Sequence, residues 1–143
     1  MQTIRSFSSA DLDKVMEIEK SAFLQPWPKS EFEKHKTGFF VTEENNEVIG
    51  FILGEISDHQ GIIKKIAVSE NNRGKGVGQA LLEHLSVFFK AKGAKELVAR
   101  SRVTNLASIS FLKKAGFETS KTIEKYYLDG TDAYLLKKNI QGN

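Results

Sequence analysis

Between Ile66 and Gln79 a short apolar run, Ile-Ala-Val, passes through a polar turn into Arg-Gly-Lys-Gly-Val-Gly-Gln and then into a helical pattern. This strand–loop–helix passage leaves few folds open. Gly74, Gly76 and Gly78 remove side chains where the backbone turns. Their N–H groups can then point outward together, with the helix dipole behind them, which makes a site for a pyrophosphate. Arg73 and Lys75 add positive charge to it. The dipole contributes only ~0.3–1 kcal/mol, up to ~2 when partly buried, so main-chain hydrogen bonds must supply the rest.

Two familiar phosphate loops are excluded. A Walker A loop needs Ser or Thr after Gly-Lys, and Gly76 follows Lys75. A dinucleotide fingerprint begun at Gly74 needs a glycine where Gln79 stands.

The flanking pattern predicts a strand at Thr3–Phe7 and a helix from Ser9 to Phe23, with Ser8 and Asp11 spaced as a capping box. Gln25–Pro28 breaks that helix, and Lys29–His35 reads as a short second one. Gly38–Glu43 and Val48–Ile56 flank a polar turn and predict a hairpin, followed by a strand at Gly61–Val68. A long helix spans Gly76–Lys92, with Val77, Ala80, Leu81, His84, Leu85 and Phe88 on one face and Gly93 ending it. Glu96–Val103 is a strand, Asn105 caps a helix ending at Gly116, and two last strands cover Glu118–Tyr127 and Asp132–Lys138. Strands first, then alternating strands and helices, give an α+β or α/β sandwich with a mixed sheet.

The 143 residues fit one domain, 1–143, with 40% hydrophobic residues and ten Phe to fill its core. The start lacks the apolar core of a signal peptide and no apolar run reaches membrane-spanning length, so a soluble, cytoplasmic protein is expected. The absence of cysteine excludes disulfides, cysteine nucleophiles and thiolate metal sites. His35, His59 and His84 show no ligand spacing, so no catalytic metal is expected. The net charge of +3 is uneven: residues 90–138 carry eleven Lys and Arg against five Asp and Glu. Phosphates attract such a surface, but no aromatic–basic interleaving or nucleic-acid module is present, so neither nucleic acid nor membrane is an expected partner.

Arg73-Gly74-Lys75-Gly76-Val77-Gly78 resembles the R/Q-x-x-G-x-G/A motif of the GNAT N-acetyltransferase family. Asn105 to Phe117 resembles that family's N-x-x-A-x-x-x-Y-x-x-x-G-F element. The two motifs lie in the family's order with a strand between them. The resemblance implies an α+β fold, an α/β/α sandwich whose mixed, mostly antiparallel sheet of six to seven strands is flanked by about four helices. It also implies acetyl-coenzyme A as cosubstrate. Ile66, Ala67 and Val68 would then lie on the strand that pairs with the pantetheine arm, as an added strand does. Arg73 and Gly74 to Gln79 (Lys75, Gly76, Val77 and Gly78 between them) would hold the pyrophosphate, and Asn105 would reach the pantetheine or thioester.

Within the family, Pro26-Trp27 and Tyr126-Tyr127 resemble features of ribosomal-protein alanine N-acetyltransferases and other protein N-terminal acetyltransferases. That likeness implies a peptide N-terminus as acceptor. Two departures stand against it: Leu112 replaces the usual acid Tyr, and Arg100 replaces the Glu or His near the attacking amine. Tyr126 or Tyr127 could supply a proton instead, and Glu55 is the candidate carboxylate for water-mediated deprotonation. The oxyanion would be held by a backbone N–H near Val68. Without a cysteine or a G-x-S-x-G elbow, direct attack in a ternary complex is expected. Two other readings remain open at this point: a small-molecule amine acetyltransferase acting on a polyamine, amino acid or aminoglycoside, and a non-catalytic acyl-coenzyme A sensor. The sequence leaves the oligomeric state undetermined.

Overall fold

The structure, a computed structural model, describes residues 1–23, 26–35 and 37–141. Strand β1 (Gln2–Ser6) leads through a 3-10 turn, Ser9–Asp11, into α1 (Leu12–Ala22), and α2 is the single turn Lys29–Phe32. Then follow β2 (Phe39–Glu44), β3 (Glu47–Ser57), β4 (Gln60–Val68), α3 (Val77–Ala91), β5 (Glu96–Arg102), α4 (Leu106–Lys114), β6 (Glu118–Ile123) and β7 (Ala133–Asn139). The seven strands form one sheet in the order β1-β2-β3-β4-β5-β7-β6. All neighbours are antiparallel except β4 and β5. A mixed, mostly antiparallel sheet with four helices is the expected α/β/α arrangement.

Period-two alternation divides the core between the two faces of the sheet. Phe39, Val41, Phe51, Leu53 and Ala67 pack with Leu12, Val15, Ile18 and Phe32 on the α1–α2 side. Phe40, Ile52, Leu97, Ala99 and Leu136 pack with α3 and α4 on the other. Helix α3 lies close to the strands because Gly54 and Gly61 carry no side chain. A Cβ at Gly54 would stand 2.9 Å from Phe89, and one at Gly61 would clash with that ring at 2.5 Å.

Several boundaries differ from expectation. The first helix starts as a 3-10 turn because the Asp11 carboxylate accepts the Ser8 N–H at 2.9 Å while holding both terminal nitrogens of the Arg5 guanidinium. Arg5 also lowers the pKa of that carboxyl. Helix α2 stops at Phe32, short of His35. The expected break at Gln25–Pro28 begins at a residue outside those described. On α3 the buried stripe is Val77, Leu81, Leu82, Leu85 and Phe89, so His84 is exposed rather than buried and instead stacks edge-on against Phe40. The strand expected to run through Tyr127 ends at Ile123, which leaves both tyrosines in the loop before β7. No helix among the described residues is long and apolar enough to cross a membrane.

Candidate active site

Strands β4 and β5 pair only at Gln60 with Glu96, Gly61 with Leu97 and Ile62 with Val98. Past that point they separate. In the β3–β4 register Leu53 opposes Lys65 and Gly54 opposes Ile63, so Lys64 is an extra residue on β4. Such a bulge bends its strand, here away from β5. The opening between residues 63–68 and 99–102 is a cleft of about 630 Å³.

Backbone alternation decides what faces the opening. Ser69 N–H donates to the Ile49 carbonyl at 2.8 Å, so Ser69, Ala67 and Lys65 spend their amide groups on β3. Ile66 and Val68 therefore turn theirs toward the gap. Arg73 Nε donates to the Val68 carbonyl at 3.1 Å, which leaves the Val68 N–H for a ligand. The amides of these two residues can pair with an extended chain laid between the strands.

The glycine-rich loop closes one end. Gly74 and Gly76 adopt φ of +81° and +82°, and the space where each would carry a Cβ is open. A side chain at either position would be strained and would fill the cradle. Gly76 is the N-cap of α3, and the first intrahelical bond is Ala80 N–H to the Gly76 carbonyl. The N–H groups of Val77, Gly78 and Gln79 thus lack helical acceptors. They face a second cavity of about 450 Å³, which shares Val68, Arg73, Gly78, Ala107 and Phe111 with the main cleft and has Lys114 on its far wall. At Gly78 a Cβ would sit 3.3 Å from the Phe111 ring, so glycine there lets α3 and α4 touch. Lys75 Nζ bonds Asn72 Oδ1 at 3.2 Å beside the loop. An open cradle of donors flanked by Arg73, Lys75 and Lys114 suits a pyrophosphate, and the strand gap suits an amide-bearing arm. Asn105 caps α4 by accepting the Ser108 N–H at 3.1 Å, and its side chain lines the cleft with Nδ2 left over.

The opposite face is built from side chains. Phe23, Trp27, Lys65, Arg100, Tyr126 and Tyr127 line the cleft there, drawn from four separate segments. The tyrosine rings meet edge-on at 5.0 Å. Their loop is tethered by two hydrogen bonds from Arg102 to Asp129, at 2.9 and 3.0 Å, and by Lys125 N–H to Asp132 at 2.9 Å. The Arg102 guanidinium also lies 4.1 Å from the centre of the Tyr127 ring. Burial raises the pKa of the Tyr127 phenol, so it is protonated at neutral pH.

Glu55 does not line this cleft. It faces His35 Nδ1 at 3.0 Å, with Lys64 at 4.0 Å. Leu112 is buried under α4 and Arg100 is exposed on the cleft wall. The pair that the motifs did not indicate is Glu19 and Lys65. Glu19 is fully buried, and its Oε2 accepts the Trp27 N–H at 2.8 Å and faces Lys65 Nζ at 3.0 Å. Lys65 Nζ also sits 3.9 Å above the Phe23 ring. The available signal was a carboxylate four residues after Val15, on the apolar stripe of α1.

A sheet that opens between two strands, with an open cradle of main-chain donors at one end and a side-chain-lined vestibule behind, fits a coenzyme A-dependent acyltransferase. Residues 12–117 match the Acetyltransferase (GNAT) family, and the chain belongs to that family. It is 39% identical to an uncharacterized N-acetyltransferase of Methanocaldococcus jannaschii over 97% of this chain and 94% of that one. It is 32% identical to an N-alpha-acetyltransferase of Sulfurisphaera tokodaii, over 93% and 90%. The crystal structure of the ribosomal-protein-S18-alanine N-acetyltransferase from Escherichia coli superposes with a TM-score of 0.89 at 28% identity, over 100% of this chain and 96% of that one. The protein is an N-acetyltransferase, and acetyl-coenzyme A is its cosubstrate.

Proposed function

We propose that residues 1–143 act as one domain that acetylates the α-amine of peptide or protein N-termini, by direct attack in a ternary complex. The observation that carries this reading is the acceptor face itself: it has aromatic walls and cations but no Asp or Glu among the described lining residues. The attacking amine must be neutral. An α-amine with pKa near 8 is about one-tenth neutral at pH 7, whereas deprotonating a lysine amine costs roughly 4–5 kcal/mol. Arg100, which lines the vestibule with no carboxylate within 4.0 Å among the described residues, disfavours an ammonium further, which does by charge part of what a base would do. A polyamine would be repelled by the same guanidinium. The names of the Sulfurisphaera and Escherichia relatives support the N-terminal reading.

Acetyl-coenzyme A supplies the acetyl group as a thioester, whose C–S bond breaks as the C–N bond to the amine forms. The Val68 N–H would donate to the carbonyl oxygen, where negative charge develops. Tyr127, held protonated by burial, or its neighbour Tyr126 would give a proton to the departing sulfur. Water in the vestibule would take the proton from the amine. Glu55, the carboxylate expected to serve this water-mediated step, is turned to His35 and is not among the described lining residues, so the proton goes to water alone. Ile66 and Asn105 would position the amide arm, and the loop from Arg73 to Gln79 the pyrophosphate.

Thiol release in the presence of acetyl-coenzyme A tests the proposal on three acceptors: peptides with free N-termini, N-blocked peptides containing lysine, and polyamines. Turnover restricted to free N-termini is expected. Turnover on polyamines or on blocked lysine peptides would overturn the assignment of the acceptor. Cofactor binding without any turnover would turn the reading to an acyl-coenzyme A sensor.

A further inference from the structure

The acceptor face carries more positive charge than transfer to an amine requires. Lys64, Lys65, Arg100 and Arg102 all line it. Three of them have internal carboxylates: Lys65 faces Glu19 at 3.0 Å, Arg102 faces Asp129 at 2.9 Å, and Lys64 reaches Glu55 at 4.0 Å. Arg100 has no carboxylate within 4.0 Å among the described residues. The Tyr126 ring centre lies 5.6 Å from its guanidinium carbon.

Its orientation follows from alternation on β5. Leu97 and Ala99 belong to the α3–α4 core, so Arg100, between Ala99 and Ser101, points to the α1–α2 face, where Ala67 and Lys65 also point. That is the vestibule, not the pyrophosphate end. An amine arrives from water largely as an ammonium, and entering beside the unpaired Arg100 is unfavourable unless it brings a counter-charge. The planar, two-pronged guanidinium matches a carboxylate through two parallel hydrogen bonds.

We propose that Arg100 is a specificity-determining residue that reads an acidic side chain at the first or second position of the acceptor, so that Asp- and Glu-bearing N-termini are preferred. This rests on the N-terminal reading of the acceptor. The carboxylate of the substrate takes the place of the internal partner that Arg100 lacks, and it offsets that guanidinium while the amine is held. The two lysines and Arg102 are already balanced and contribute shape more than selection.

The test compares kcat/KM for two peptide pairs with a common tail: Glu against Gln at the first position, and Glu against Gln at the second. The wild-type enzyme is expected to favour the Glu member of at least one pair by about tenfold or more, the size of a charge-assisted hydrogen bond. Arg100→Met should bring that ratio to about one, Arg100→Glu should invert it, and Arg100→Lys should keep part of it. Thermal melts show that each variant is folded. Equal use of Glu and Gln at both positions by the wild type, or a preference that survives in Arg100→Met, overturns the proposal. Acetylation of the Gln peptides, lost when their N-termini are blocked, keeps the N-terminal reading whatever the ratio. If none of the four peptides is acetylated, both fall.

Discussion

The two ends of the cleft are built by different means. At the proposed cofactor end the donors are main-chain amides: Val68 in the strand gap and Val77, Gly78 and Gln79 at the start of α3. At the proposed acceptor end the surface is made of Phe23 and Trp27 between α1 and α2 and of side chains from β4, β5 and the β6–β7 loop, held in place by ion pairs. A backbone cradle depends on where side chains are missing, and a side-chain wall depends on distant residues meeting. The first tolerates changes that keep its dihedral angles. The second can be rebuilt for a new acceptor without disturbing cofactor binding.

Substitutions that separate the two ends should therefore have separable effects. The largest is expected at Glu19. Glu19→Ala leaves Lys65 facing a buried void and frees the Trp27 amide, at a cost of about 3–5 kcal/mol in unfolding free energy, the usual penalty for breaking a buried pair. Urea denaturation reads this directly, and a loss below about 1 kcal/mol would mean that water already satisfies the pair.

Gly76→Val comes next. A β-branched residue at φ near +82° is strained by about 1–3 kcal/mol, and its side chain occupies the open cradle. Acetyl-coenzyme A affinity, measured by titration calorimetry, should fall by about 100-fold. Unaltered affinity would detach the loop from the cofactor.

Replacing both Tyr126 and Tyr127 by Phe should lower kcat by about tenfold to a hundredfold, the range of proton transfer by a positioned group, while cofactor affinity stays put. A falling cofactor affinity with constant kcat would reverse the division of labour.

The smallest effect concerns the tether of the tyrosine loop. Hydrogen bonds from Thr131, and then from Arg102, hold the Asp129 carboxyl at a pKa of about 2, below its ordinary 3.8. Because the folded pKa is the lower one, the stabilisation is complete above about 4 and is lost as pH falls from there toward 2. Asp129→Asn should flatten that part of the acid-unfolding profile. A wild-type profile identical to that of the variant would contradict the tether.

The same contrast explains what could be read from the residues alone. Glycine spacing reports a backbone cradle directly, so Gly74, Gly76 and Gly78 indicated the open loop before α3, and the Asn105 cap was equally local. The gap between β4 and β5 was implied only by resemblance, because the bulge at Lys64 depends on the register with β3. Glu19 and Lys65 lie 46 positions apart and meet only in the fold, so neither stood out. Glu55 looked available on its strand, but the chain after α2 brings His35 to it. The tyrosines belong to a loop rather than a strand because Lys125, at φ +49°, turns the chain and Asp132 accepts its N–H.

The central claim is that cosubstrate and acceptor occupy opposite ends of one cleft at the same time. Initial rates measured across a matrix of acetyl-coenzyme A and peptide concentrations test it most directly. Converging double-reciprocal lines are predicted, as a ternary complex requires. Parallel lines would contradict it, because they would mean that the acetyl group rests on the protein before the acceptor binds.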